Sequence, residues 1–191
     1  LGTVVLEEGF LHLPDKFAFG CTALTRAVLP KSLSSAGRHV WEGTPYLAAC
    51  EDGQEGAVFW DGRRLEGEVR LPAHIRIVAG GAFYGNDRVT AVFLPESVTW
   101  IGPAAFKGCS RLRKAFLPSG MKKLEAEVFS GCRSLEEVAA GENKVYGTPG
   151  VPAWETVGER AFYQCENLKH ISWEDLREAG REAFAGCRSL K

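Results

Sequence analysis

The chain has 191 residues, 45% of them hydrophobic, and a formal net charge of −1 at pH 7. This length supports a substantial core and would ordinarily form one or two domains. The net charge is close to zero, so the sequence does not show the excess of basic residues that is typical of nucleic-acid-binding proteins. It contains no run of about eighteen apolar residues that would predict a membrane span.

Residues 1–14 contain two short apolar runs separated by Glu7 and Glu8. The runs cover residues 4–6 and 10–13. Their length and position predict two strands that shield the first regular coil, because terminal repeats need a modified outer face.

From residue 17 onward the chain repeats one order of landmarks. An aromatic residue preceded by a small residue returns at spacings of 23, 23, 33 and 22 residues, at Phe83, Phe106, Phe129, Phe162 and Phe184. A cysteine stands three places later in four of these repeats, an apolar residue follows three places after that slot, and the repeat often closes with Leu-Pro. An earlier repeat has Val40-Trp41, Thr44 and Leu47 in these slots. Such a period with leucine at fixed offsets is the signature of leucine-rich repeats.

Two stretches interrupt this period. In residues 50–67, Asp61-Gly62 between strand-like runs predicts a hairpin insertion with a two-residue turn, and Trp60 is interpreted as a lid over the local apolar cluster. Residues 141–154 are rich in glycine and proline and predict a loop insertion. With these two exceptions, residues 1–191 are interpreted as a single leucine-rich repeat domain.

The chain begins at Leu1 without a methionine and reaches Lys191 in mid-repeat. We interpret it as a fragment or a processed form. Its last coil is expected to be covered by further chain or by a partner, because an unfinished coil exposes a hydrophobic end.

The segment of type Leu-x-x-Val-x-Leu-Pro predicts a short strand in each coil. Alternation places Val92 and Leu94 inward and Phe93 outward. Side by side, these strands form a parallel sheet, and proline ends each strand because it cannot donate to the ladder. The Ala-Phe segment predicts a short helical turn on the opposite face, with its aromatic ring in the core.

One repeat carries a family resemblance most completely, through Ile101-Gly102, Ala105-Phe106, Gly108-Cys109, Leu112 and Leu117-Pro118. This order resembles the BspA-like leucine-rich repeats of bacterial surface proteins, over nearly the whole chain. The resemblance implies an α/β solenoid with a parallel β-sheet on the concave face and short helical or irregular turns on the convex face. It also implies an extracellular or cell-surface location.

Five of the six cysteines occupy one repeat slot: Cys21, Cys109, Cys132, Cys165 and Cys187. Pairing successive coils would leave one cysteine over, and free cysteine is among the most often buried residues. We therefore predict a ladder of buried free thiols. No Cys-x-x-Cys pair exists and the histidines are scattered, so neither a metal site nor a cofactor is expected.

The outward positions of the predicted sheet form the candidate binding surface. Its central column consists of Val28, Arg70, Phe93, Phe116, Ala139 and Ser172, flanked by Arg113, Lys114, Glu136, Glu137, Lys169 and His170. Exposed aromatic pairs beside arginine are typical of sites that bind partners. Two alternatives stand against a site: the phenylalanines pack under a neighbouring loop, and opposite charges such as Lys114 and Glu137 pair across the sheet.

The sequence contains no Gly-x-Ser-x-Gly elbow, phosphate-binding glycine loop or His-Glu-x-x-His motif. His170 has no candidate nucleophile beside it in sequence. We therefore predict a non-catalytic binding module for protein–protein interaction or adhesion, with a protein ligand and no nucleic-acid partner. A structural spacer and a carbohydrate-binding module that takes a glycan remain as alternatives.

Overall fold

Each regular coil contributes two short strands, and equivalent strands of successive coils lie side by side. The computed structural model describes residues 2–50, 53–141 and 153–191. Within these ranges every strand pair except one is parallel. The chain is a parallel β-solenoid of about seven turns with little helix.

The first strand of each coil is generally the longer one. β1 (Thr3–Val5) pairs with β3 (Arg26–Val28), and one sheet contains β7 (Gly67–Arg70), β9 (Val89–Phe93), β11 (Lys114–Leu117) and β13 (Glu137–Ala140) in that order. We call this four-stranded group the long-strand sheet. Val92 and Leu94 are buried whereas Phe93 is half-buried, which confirms the predicted alternation.

The second strand of each coil passes through the Ile-Gly landmark and, apart from β2 in the predicted run at residues 10–13, was not predicted. β2 (His12–Leu13) pairs with β4 (Ser35–Ala36). Two further sheets consist of β5 (Gln54–Glu55), β6 (Val58–Phe59), β8 (Ile77–Val78) and β10 (Trp100–Ile101), and of β12 (Lys123–Leu124), β14 (Thr156–Val157) and β15 (Glu178–Ala179). Two-residue strands give too little alternation to be read from the sequence.

Stacked phenylalanine rings fill the centre of the solenoid. Ring centroids of neighbouring coils lie 4.8 to 5.5 Å apart with interplanar angles of 9 to 21°, through Phe59, Phe83, Phe106, Phe129, Phe162 and Phe184. The first five rings are buried and Phe184 is half-buried. The predicted core role is confirmed, and Phe59 extends the column by one ring.

The Ala-Phe segments are hydrogen-bonded turns and not helices, so of the expected short helical or irregular turns the helical form is wrong. Lys107 N donates to Ala104 O at 3.1 Å within one turn, whereas Phe106 N donates to Val128 O of the next coil at 2.9 Å. Because alternate N–H groups bond a neighbouring coil, the segment cannot complete a ladder of helical bonds. The one helix within the described residues is α1 (Pro45–Ala49), and the α/β class therefore fits only loosely.

Glycine serves two different purposes in each repeat. A Cβ on Gly102 would lie 2.4 Å from Gly80 N of the preceding coil, so the Ile-Gly glycine permits close backbone approach. Gly108 has φ 75°, a left-handed conformation that favours glycine, and lets the chain turn after Phe106. These two constraints explain why glycine recurs at both positions.

The N-terminal runs form strands, as predicted, and pair within the solenoid through β1 and β2. One coil later the repeat changes, because Thr44 caps α1. Its Oγ1 accepts a hydrogen bond from Leu47 N at 3.1 Å. The helix buries Tyr46, whereas Leu47, predicted for the leucine slot, is only partly buried. In this coil α1 therefore replaces the longer strand.

The hairpin in residues 50–67 has its turn at a different place from the one predicted. β5 and β6 are antiparallel, with Glu55 opposite Val58, so the two-residue turn is Gly56-Ala57. The prediction of a turn at Asp61-Gly62 is wrong because β6 continues in parallel with β8 and Gly62 N donates to Ala82 O at 2.7 Å. Trp60 is buried against Trp41, with ring centroids 5.7 Å apart, which confirms its interpretation as a lid.

The predicted loop insertion at residues 141–154 lies largely outside the described residues. Trp154, at its end, is buried and its ring centroid lies 5.4 Å from that of Phe162, so this residue belongs to the core. No helix in the described ranges is long and apolar enough to cross a membrane.

The cysteine column is confirmed at three positions and wrong at one. Cys109, Cys132 and Cys165 are buried free thiols, and each donates to a phenylalanine carbonyl of the preceding coil at 3.0 to 3.1 Å. Cys187 makes the same bond but is half-buried. Cys21 is exposed, because its turn is the first of its kind in the described chain and has no preceding turn to cover it.

Replacing Phe106 by alanine tests the ring column. We expect a loss of about 3–5 kcal/mol in the free energy of unfolding, because the change opens a cavity between two stacked rings. Urea denaturation followed by circular dichroism measures it. Tyr84→Ala is the matched control, since Tyr84 is 47% exposed and its removal should change stability by less than about 0.5 kcal/mol. Equal losses in both variants would contradict the column's role.

Thiol alkylation, read residue by residue with mass spectrometry, tests the cysteine column. Cys21 should react first, and Cys109, Cys132 and Cys165 at least about a hundredfold more slowly, because local opening must expose them. A Cys21→Ser variant should lose the fast phase. Fast labelling of the buried three in the folded protein would contradict the burial.

Burial raises the pKa of the Cys132 and Cys165 thiols. A raised folded-state pKa gives stability that is complete below the unfolded thiol pKa of about 8.5 and is lost as pH rises above it. Denaturation midpoints should therefore fall at alkaline pH, and less so in a Cys132→Ala variant.

Candidate functional site

An arginine and two phenylalanines form a continuous stack on the outward side of the long-strand sheet. The strand register places Arg70 beside Phe93 and Phe93 beside Phe116. The two rings are nearly parallel, with an interplanar angle of 4° and centroids 4.6 Å apart. The guanidinium carbon of Arg70 lies 3.6 Å from the centroid of the Phe93 ring. We call this group the aromatic stack.

The aromatic stack is partly accessible. Arg70 is exposed, and both phenylalanines are half-buried, since each ring covers one face of the other. Stacked rings at the spacing of the strands turn their faces along the sheet and their edges toward solvent. The stack therefore offers ring edges to an incoming molecule.

Three other members of the predicted column do not extend this surface. Ala139 follows Phe116 in the register but is 2% exposed, because its methyl group is short beside the large ring. Val28 is 38% exposed but lies on β3, which is not paired with β7. Ser172 lies in no strand of the described chain. The inclusion of Val28 and Ser172 in one continuous outward column is therefore wrong, whereas Ala139 has the predicted register but is buried.

The flanking charges pair with one another. Glu136 bridges two cations: its Oε1 lies 2.8 Å from the Arg113 guanidinium and its Oε2 lies 2.8 Å from Lys169 Nζ. Lys114 Nζ lies 3.4 Å from Glu137 Oε2, so the predicted pairing across the sheet is confirmed. Hydrogen bonds from Lys169 and Arg113 lower the pKa of the Glu136 carboxyl.

His170 stands apart from this charge network. It is exposed and, like Lys169, lies outside any strand of the described chain. Lys169 still bonds toward the sheet, since its N donates to Glu136 O at 3.3 Å. The structure therefore connects Lys169 to the flanking charges and places His170 at their margin.

The long-strand sheet stops abruptly on one side, which the sequence did not reveal. β3 and β7 belong to different sheets, and β3 borders a cleft with a cavity of about 530 Å³, whose other side is lined by residues of α1, the β5–β6 hairpin and the start of β8. Its charged lining residues are Arg26, Lys31, Glu55 and Arg76. The sequence did contain a sign of this break, because the interval between β3 and β7 is too long for one coil. Placing the hairpin turn at Asp61-Gly62 obscured that sign.

No group of three or more potential metal ligands occurs among residues 2–50, 53–141 and 153–191. The aromatic stack can supply apolar contact and edge-to-face contact through its rings. The flanking pairs supply charges that are already neutralised within the protein. These are the means of non-covalent recognition.

The repeat matches a known family of leucine-rich repeats. The family model for the BspA-type leucine-rich repeat region matches residues 58–148 and 150–191, in six copies. A search of curated proteins found no match.

Several solved structures resemble the chain. A leucine-rich cell surface protein of Faecalibacterium prausnitzii is 20% identical with a TM-score of 0.63, and the likeness covers 100% of this chain and 59% of that one. The leucine-rich repeat protein of T. pallidum is 24% identical with a TM-score of 0.42, over 100% and 78% of the two chains. The pneumococcal vaccine antigen PcpA is 15% identical with a TM-score of 0.47, over 100% and 50%. The first likeness supports the fold, and the chain spans about three fifths of that protein's length.

The bridging role of Glu136 can be tested by titrating its carboxyl with carbon-detected NMR. Removing both cations, in Arg113→Gln with Lys169→Gln, should return the lowered pKa toward the ordinary range of about 4.3. The matched control is Lys114→Gln, which should leave the titration unchanged because Lys114 contacts Glu137. A lowered folded-state pKa gives stability that is present at neutral pH and lost as pH falls through it. An unchanged titration in the double variant would contradict the bridge.

Proposed function

Because the chain belongs to the BspA-type leucine-rich repeat family, we propose that it is a non-catalytic protein-binding module of a secreted or surface-attached bacterial protein. The aromatic stack on the outward side of the long-strand sheet is the proposed contact surface, and that side corresponds to the concave face of the solenoid. Repeat proteins of this type bind along extended sheet surfaces.

The aromatic stack is the observation that carries this proposal. Aromatic and arginine side chains dominate the energy of protein interfaces, and here three of them lie in one continuous group. Their mutual stacking already restricts the side chains. Binding therefore loses less conformational entropy than it would with free rotamers.

The flanking charges support orientation of the partner more than affinity. Arg113, Lys114 and Lys169 each lie within 3.4 Å of a glutamate oxygen, so a partner gains little from neutralising them. Exposed pairs of this kind contribute little stability and are screened by salt. A partner whose charges complement this pattern would be steered into one orientation.

Ring orientation favours a protein ligand over a glycan. A sugar ring stacks on an exposed aromatic face, but Arg70 covers one face of Phe93 and Phe116 covers the other. Ring edges suit edge-to-face contacts with apolar and aromatic side chains of a protein. We therefore retain protein binding, and place carbohydrate binding and a spacer role behind it.

The surface location is supported by the family and by one structural neighbour. The F. prausnitzii protein is described as a cell surface protein and shares the fold. This description applies to that protein and reaches the present chain as part of the proposal.

Replacing both phenylalanines, in Phe93→Ser with Phe116→Ser, tests the proposed surface. Immobilised wild type and variant are compared for proteins captured from a culture of host cells and their secretions, quantified by mass spectrometry. We expect at least about a tenfold loss of the saturable partner, since truncating a central aromatic residue costs more than about 1 kcal/mol of binding free energy.

The matched control removes two exposed aromatic rings elsewhere, in Phe19→Ser with Tyr84→Ser. It should capture the partner as well as wild type, and thermal denaturation should show both variants folded. Undiminished capture by the Phe93 and Phe116 variant would refute this surface. Absence of any saturable partner would favour the spacer role.

A further inference from the structure

The parallel sheet of longer strands is broken at one place. β1 and β3 form one pair, while β7, β9, β11 and β13 form another sheet, and within the described chain no strand lies between β3 and β7. The intervening coil contains α1 and the β5–β6 hairpin instead of a longer strand. Among the described residues, no strand is therefore paired with the edge of β3 that faces away from β1.

That edge of β3 borders an opening and carries backbone groups without a strand partner. Toward β1, Arg26 N donates to Gly2 O at 3.1 Å and Val28 O accepts from Leu6 N at 3.0 Å. Alternate residues of a strand direct their N–H and C=O groups to opposite sides. Ala27, between these two, therefore directs both groups toward the opening. In the described ranges its backbone makes no hydrogen bond outside the β1–β3 pair.

The opening has the size and lining of a binding cleft. Its cavity of about 530 Å³ lies within the range of about 300–1,000 Å³ that ligand sites occupy. Leu33, Tyr46, Val58 and Ile77 are buried residues of its lining and make its floor apolar. Such a floor can receive alternate side chains of an extended segment lying along β3.

The rim of the cleft is basic although the chain as a whole has a net charge of −1. Three cations, Arg26, Lys31 and Arg76, line it against one carboxylate, Glu55, and all four side chains belong to exposed residues. Within the described residues, none of these three cations forms an ion pair with a carboxylate. Burial raises the pKa of the Cys50 thiol in the lining to about 11, so this group adds no negative charge at neutral pH.

One hydrogen bond links the two sides of the cleft. The Arg76 guanidinium donates to Lys31 O at 3.0 Å, and this bond joins the segment before β8 to the segment after β3. The cleft is present in the protein without a ligand, so binding need not create it.

We propose that an extended acidic polypeptide segment binds in this cleft as an added parallel strand beside β3. Backbone hydrogen bonds to Ala27 would hold it along β3, the apolar floor would take its inward side chains, and the three cations would attract its carboxylates. This surface is separate from the aromatic stack and does not depend on it.

The test uses a capped, fluorescein-labelled peptide of about eight residues in which glutamate and valine alternate, which is longer than the three residues of β3. Fluorescence anisotropy with the full chain should show saturable binding that weakens with salt. Charge reversal in Arg26→Glu with Lys31→Glu should weaken it at least about tenfold. Arg111→Glu with Arg188→Glu makes the same charge change at exposed sites outside the cleft and should bind as wild type does.

A second probe, used with the wild-type protein, keeps the test independent of variant folding. The same peptide N-methylated at every second residue retains its charge but loses the donors that a strand needs, and its binding should be at least about tenfold weaker. Equal binding would show a general anion site and overturn the proposal. So would the absence of saturable binding up to about 1 mM, or equal losses in the control pair. Phe93→Ser with Phe116→Ser should leave peptide binding unchanged, which separates this surface from the aromatic stack.

Discussion

Hydrogen bonding between successive coils is the constraint on which the structure depends. Each coil must present backbone donors and acceptors to the coil before and the coil after, at a spacing close to that of paired strands. At Phe106 the backbone N–H bonds the following coil at 2.9 Å, and the ring lies 4.8 Å from Phe83 of the preceding coil. The stacked rings, the thiol bonds and the close approach at Gly102 follow from that spacing.

The same spacing determines what the outward surface can be. Side chains at equivalent positions of neighbouring strands are held near 4.6 Å apart, so two phenylalanines must stack and an arginine beside them must lie over a ring. In the coil that contains α1, the longer strand is absent, so the regular spacing between neighbouring strands is interrupted and a cleft forms. Regularity thus creates one proposed binding surface and its interruption creates the other.

Sequence patterns predicted the parts of the fold that rest on periodicity. The ring column, the burial of Cys109, Cys132 and Cys165, and the outward position of Phe93 follow from a repeat in which like positions stack. The two-residue strands were missed because they are too short to alternate. Asp61-Gly62 was wrongly predicted to be the hairpin turn because Asp-Gly is a strong local turn signal. The pairing of β6 with β8, which lie far apart in sequence, determines the backbone there instead. Pairing of Glu136 with Lys169 across a longer insertion likewise depends on tertiary position.

One slot of the repeat holds three different side chains. Thr44 bonds a carbonyl through its hydroxyl, Asn86 through its amide and Cys109 through its thiol, at 2.6, 2.7 and 3.1 Å. The slot therefore selects for a compact donor rather than for one residue. After a repeat is duplicated, this position can drift among several amino acids without disturbing the coil.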